Sequence, residues 1–150
     1  MEKFIRSFNQ LTTIQLYDLL KLRQDVFIIE QNCIYQDLDG YDTNASHFLI
    51  YENNELVAYS RIFSPDVKYK GETSIGRIIV ANNKRGGILG KILIEESIQY
   101  CLSNYPGKTI RIEAQAKLKN YYSNLGFLED SDVYIVDGIE HLEMIFKAKN

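Results

Sequence analysis

Hydrophobic and polar positions along this chain change period several times, and each change marks a new element. Phe4, Arg6 and Phe8 alternate with Ile5 and Ser7, which predicts a first strand. Leu16, Leu19, Leu20 and Phe27 then recur at helical spacing, so one face of a helix packs inward while Asp18, Lys21 and Arg23 stay in water. Thr12 and Gln15 have the spacing of a capping box at its start, and Leu11 and Leu16 that of a hydrophobic staple. From Glu30 to Asn44 no period holds, and Asp37, Asp39, Gly40 and Asp42 collect in a loop.

Strands resume at SHFLIY and ELVAYSRIF, and the intervening ENN is short enough for an antiparallel hairpin. PDVKYKGE reads as a surface connection into a strand over Ser74–Val80, and a second helix runs from about Gly87 to Ser103, where NYPG stops it. TIRIEAQ alternates strictly, with Ile110, Ile112 and Ala114 on one face and Arg111, Glu113 and Gln115 on the other. A short helix in KLKNYYSNL ends at Gly126, and VYIVDGIEHLEMIF closes the chain around Asp137-Gly138, the pattern of a two-residue type I′ turn. The order β-α-β-β-β-α-β-α-β-β implies an α+β sheet with helices on its faces. No repeat or linker divides it, so residues 1–150 read as a single domain.

Composition removes several functions. With 17 Lys and Arg against 20 Asp and Glu, the chain lacks the basic field that grips a nucleic-acid backbone, so no nucleic acid is expected. No apolar run is long enough to cross a bilayer and no leader pattern opens the chain, which predicts no membrane association and a cytoplasmic protein. Cys33 and Cys101 show no CxxC or zinc spacing and read as reduced thiols. DLDGYD superficially resembles a calcium loop, but its glycine falls too early and Phe48 stands where a glutamate is needed, so no metal is expected.

The segment SIGRIIVANNKRGGILGKILIEESI begins as a buried strand and ends as a helix, with glycines and cations between. Unpaired N–H groups and the positive end of the helix dipole converge there and favour an anion. Gly86, Gly87 and Gly90 leave room for a phosphate, and Arg85 and Lys91 add charge. A P-loop is excluded, because only three residues separate Gly86 from Gly90 and Ile92 follows Lys91 where a hydroxyl is required. The dinucleotide GxGxxG pattern is absent too.

The junction resembles the [Q/R]xxGx[G/A] loop of the GNAT acetyltransferase superfamily, with Arg85 and Gly90 matching and Ile88 standing where that pattern has glycine. AQAKLKNYYSNLGF is similar to the superfamily's later N-x-x-A-x-x-x-Y-x-x-x-G-F segment, with Gln115, Leu118, Tyr122, Gly126 and Phe127 at its marked places. LYDLLKLRQDVFIIEQNCIYQDLDGYD, HFLIY, IGRIIV and VDGIEHLEM resemble its ElaA-like branch, so the likeness covers nearly the whole chain. It implies a GNAT fold, with a mixed, mostly antiparallel central sheet and helices on both faces.

The resemblance also implies an activity: transfer of an acetyl group from acetyl-CoA to a primary amine, directly, in a ternary complex and without metal. Backbone groups of Ile78, Ile79 and Val80 would pair with the pantetheine arm, and an N–H of Ile79 or Val80 would face the thioester oxygen. The phosphates would rest on the run Arg85, Gly86, Gly87, Ile88, Leu89, Gly90 and Lys91, and Gln115 would anchor a pantetheine amide. Tyr122 is the expected general acid, while Glu113 and His141 stand level as base. The acidic loop of Glu30, Asp37, Asp39 and Asp42 would attract a cationic amine. Cys33, without a histidine-aspartate partner, is set aside as a nucleophile. The alternative is a noncatalytic acyl-CoA-binding or sensing module. The acceptor, a small molecule or a peptide, is left unspecified, as is the formation of a homodimer.

Overall fold

The amino-terminal alternation forms β1 (Glu2–Ser7), paired antiparallel with β2 (Ser46–Glu52) in the computed structural model, which describes residues 1–149. Helix α1 (Thr13–Arg23) starts on the predicted capping box. The Gln15 N–H donates to Thr12 Oγ1 at 3.0 Å and the Thr12 N–H donates to Gln15 Oε1 at 2.9 Å. The helix does not continue regularly to Phe27. At Gln24 it widens into a π-helical turn that ends at Glu30, a form common near functional sites.

β2 turns into β3 (Glu55–Phe63) through Asn53 and Asn54, both at positive φ, as a type I′ turn requires. β4 (Thr73–Val80) follows, then α2 (Leu89–Asn104), β5 (Ile110–Gln115) and α3 (Lys119–Asn124). A two-residue strand β6 (Leu128–Glu129), absent from the expected order, precedes the hairpin of β7 (Tyr134–Val136) and β8 (Ile139–Phe146). Asp137 and Gly138 form its turn with φ of 48° and 78°. The sheet runs β1-β2-β3-β4-β5-β8-β6 with β7 also on β8, and β4–β5 is its parallel pair among the described residues.

Alternation divides the interior into two layers. Phe48 and Ile50 of β2 face one core, shared with Leu93 and Ile94 of α2 and with Tyr122 and Phe127. Leu49 and Tyr51 face the other, shared with Leu19 and Leu22 of α1. Helices therefore cover both faces, α1 on one and α2 with α3 on the other.

Arg23 does not stay in water. It is 0% exposed, with Nε 2.9 Å from Asp37 Oδ2 and Nη1 2.7 Å from Asp42 Oδ1. Arg61 binds Asp39 and Asp42, and Arg77 binds Asp37. Three arginines thus match the three aspartates of the 37–42 loop. The aspartates of the loop are therefore not a source of unbalanced negative field, as a buried carboxylate is tolerated only when paired. His47 closes the network, with Nε2 2.9 Å from the Asp42 carbonyl and Nδ1 2.6 Å from Tyr59 Oη. A carbonyl only accepts, so Nε2 carries the proton and Nδ1 accepts from the phenol.

Candidate active site

β4 and β5 share only two rungs, Thr73 with Ile110 and Ser74 with Arg111, before they part. A bulge in β4 accompanies the parting. Tyr59 of β3 pairs with Ile79 and Arg61 with Gly76, so two steps on β3 face three on β4, and Arg77 sits in the left-handed region at φ 46°. Between the diverging strands lies a cavity of about 760 Å³, within the size range of small-molecule sites. Ile78, Ile79 and Val80 line one wall, and Glu113, Ala114 and Gln115 the other.

Arg85, Gly86, Gly87 and Gly90 close one end, at the start of α2. Gly86 has φ 87°, a conformation a side chain would strain. The expected cationic ligand is already engaged. Arg85 Nε donates to the Val80 carbonyl at 3.0 Å, and its Nη2 donates to Glu30 Oε1 at 3.0 Å, so the guanidinium ties the loop to the last residue of the π-helical turn. Gly90 is not open space either. An added Cβ would fall 2.6 Å from Tyr121 Oη.

α2 begins at Leu89, two residues after the expected start, and Ile88 caps it without a side-chain hydrogen bond, which leaves the first-turn N–H groups without that cap. Of the run expected on phosphates, three side chains lie off the cavity wall. Ile88 is exposed, Leu89 is buried in the core beneath α2, and Lys91 pairs with Glu95.

Tyr122, from α3, is buried against Phe127 yet lines the cavity. Burial, then the neighbouring Tyr121, raises its pKa above the usual phenol value, and no hydrogen bond contributes. The register of β5 and β8 sets Gln115 opposite His141 and Glu113 opposite Glu143, on the sheet face away from α2. His141 Nδ1 lies 2.8 Å from the Ile139 carbonyl and must donate, so in the neutral ring Nε2 is the nitrogen with the lone pair. Glu113 already accepts from Tyr134 Oη at 2.7 Å. The structure therefore brings Tyr122, Glu113, His141 and Gln115 to one cavity and separates the two base candidates by their partners.

The Acetyltransferase (GNAT) domain model matches residues 18–148. The chain is 42% identical over 138 residues to the protein ElaA of Escherichia coli, covering 91% of this chain and 90% of that one. This chain belongs to the GNAT acetyltransferase family. The crystal structure of Escherichia coli ElaA superposes with a TM-score of 0.91 at 38% identity, over 98% of this chain and all of that one. An acyl-CoA N-acyltransferase from Pseudomonas aeruginosa gives the same TM-score at 34% identity, over 97% and 99% of the two chains. As a GNAT chain it is an acyltransferase.

The cavity pairs a small-molecule volume with an uncapped helix start, a pattern that receives an anion. Sequence reasoning missed Phe27, Glu30 and Tyr35, which also line it. The helical spacing of Phe27 read as core, and Tyr35 lies where periodicity fails. Glu30 belongs to the acidic run of the sequence, and nothing local there marks it as the partner of Arg85.

Proposed function

We propose that this GNAT chain is one domain that transfers an acetyl group from acetyl-CoA directly to a primary amine, in a ternary complex without metal, in the cytoplasm. The observation that carries it is a phenol without a protein hydrogen bond, that of Tyr122, in the cavity between the parted strands. Strand edges without a partner across the wedge would receive the pantetheine arm, with the N–H of Ile79 or Val80 at the thioester oxygen and Gln115 on an arm amide. The diphosphate would meet Gly86, Gly87 and the first N–H groups of α2.

The amine nitrogen attacks the thioester carbon, the carbon–sulfur bond breaks, and the ammonium's proton must leave. His141 Nε2 is the better base, because Glu113 is already held by Tyr134. A phenol lifted above its usual value near 10 is a weaker acid than a thiol near about 8.5. Full transfer from Tyr122 to the thiolate is therefore uphill. Tyr122 instead hydrogen-bonds the sulfur as charge develops, and the proton lost by the amine balances the thiol formed. Homodimer formation is proposed only as compatible with this chemistry.

The test is thiol release from acetyl-CoA across an amine panel. Tyr122→Phe should lower the rate about ten- to a hundredfold, the worth of a hydrogen bond to a group that gains charge, with acetyl-CoA affinity retained. Tight binding with no turnover of any amine would instead support an acyl-CoA sensor.

A further inference from the structure

On the α1 side of the sheet the cavity holds a cation whose donors are only partly used. Arg77, the bulged residue of β4, turns toward the loop after α1, where Nε donates to Asp37 Oδ1 at 2.8 Å and Nη2 to the Asp37 carbonyl at 3.0 Å. Phe27 and Tyr35 flank the guanidinium, with ring centroids 5.9 and 5.7 Å from Cζ. No described residue accepts from Nη1, while the side chain keeps 21% of its surface and the residue lines the cavity. Nη1 therefore presents N–H donors, on a group held in orientation by its other contacts.

The surroundings define what could use them. Asp37 and Asp39 pair with Arg23, Arg61 and Arg77, so the loop itself offers no spare carboxylate to an incoming ammonium. Across the cavity, Glu113, Asp137 and His141 come from β5 and the terminal hairpin. The space thus runs from a cation on the β4 wall to acceptor groups on the β5 wall. Arg77 also stands two residues before Ile79, whose N–H is one of the two assigned to the thioester oxygen.

From this polarity we propose that the acceptor is a zwitterion, an α-amino acid or close homologue, whose carboxylate binds Arg77 while its amine faces His141 and Glu113. The inference rests on the acyl-transfer reading above. The carboxylate stays ionised throughout. Only the amine changes, losing one proton and gaining the acyl group, so the product is an N-acylamino acid.

The experiment compares amino acids with their decarboxylated amines on the unaltered chain: leucine with isoamylamine, phenylalanine with phenethylamine, lysine with cadaverine. Thiol release from acetyl-CoA should show kcat/KM higher for the acids by about tenfold or more, as expected for a hydrogen bond to a charged group. Arg77→Gln should collapse that ratio toward one, chiefly through KM for the acids. Amines matching or outpacing their acids would overturn the proposal, as would a ratio that Arg77→Gln leaves intact. Calorimetric titration with acetyl-CoA separates the two levels. Donor binding without amino-acid turnover overturns the zwitterion alone, and failure to bind the donor overturns the acyl-transfer reading beneath it.

Discussion

The Tyr121 hydroxyl occupies the space that a side chain at residue 90 would need, 2.6 Å from an ideal Cβ on Gly90. This glycine sits in the first turn of α2, where an alanine would otherwise favour the helix by about 1 kcal/mol. Tyr121 is 41% exposed and its hydroxyl is the free end of the ring, so it can swing aside. Gly90→Ala is therefore expected to leave the melting temperature nearly unchanged while weakening acetyl-CoA binding, because the displaced phenol enters the cavity. Tyr121→Phe removes the obstructing atom and should restore affinity in the double variant, as titration calorimetry on all four proteins would show.

Arg23→Met should destabilise the fold by about 3–5 kcal/mol, the cost of stranding a partner of a buried ion pair. Asp37 and Asp42 would each lose a contact shorter than 3 Å at a site where Arg23 is fully buried. Arg23→Lys should rescue only a fraction, because an ammonium cannot serve both carboxylates with the guanidinium's fork. Urea denaturation midpoints decide it.

Stability should fall in two stages on acidification. Burial, only partly opposed by Asp42, holds the His47 pKa below its ordinary 6.5. Burial pushes the Asp42 and Asp39 carboxyls up, but hydrogen bonds and charge, from Arg23 and Arg61 at Asp42 and from Arg61 and the Tyr41 N–H at Asp39, outweigh it and leave both low. In all three the folded pKa lies below the unfolded one, so the unfolded chain takes the proton first as pH drops. A first loss should begin below about pH 6.5 and a second below about pH 4. Urea midpoints across that range test it, and His47→Gln should remove the first stage.

Glu30→Gln should tighten acetyl-CoA binding by up to about fivefold, corresponding to at most the ~1 kcal/mol of a solvent-exposed ion pair. Arg85 would be released from its carboxylate partner beside the loop assigned to the diphosphate. Pantetheine alone, which lacks that group, should bind the variant and the parent equally, and a gain for both ligands would contradict the assignment.

Signals that act over a few residues are legible in this sequence. The Thr12–Gln15 box, the hairpin at ENN and the Asp137-Gly138 turn each follow from local backbone geometry, and all three form as expected. Tyr122, Gly126 and Phe127 could be aligned with a family segment because their spacing is also local. What stays hidden depends on distant partners. Arg23 reads as a wet helical arginine until Asp37 and Asp42 arrive from 14 and 19 residues away. The hold of Glu30 on Arg85 spans 55 residues, and the bulge at Arg77 arises only when β4 must match β3 on one edge and leave β5 on the other.

Pinned at one end by two rungs, the halves of the sheet behave like a partly opened zip. An arm laid along the free edges would stitch them from outside. The free edges of β4 and β5 would then be held together only while the arm is in place.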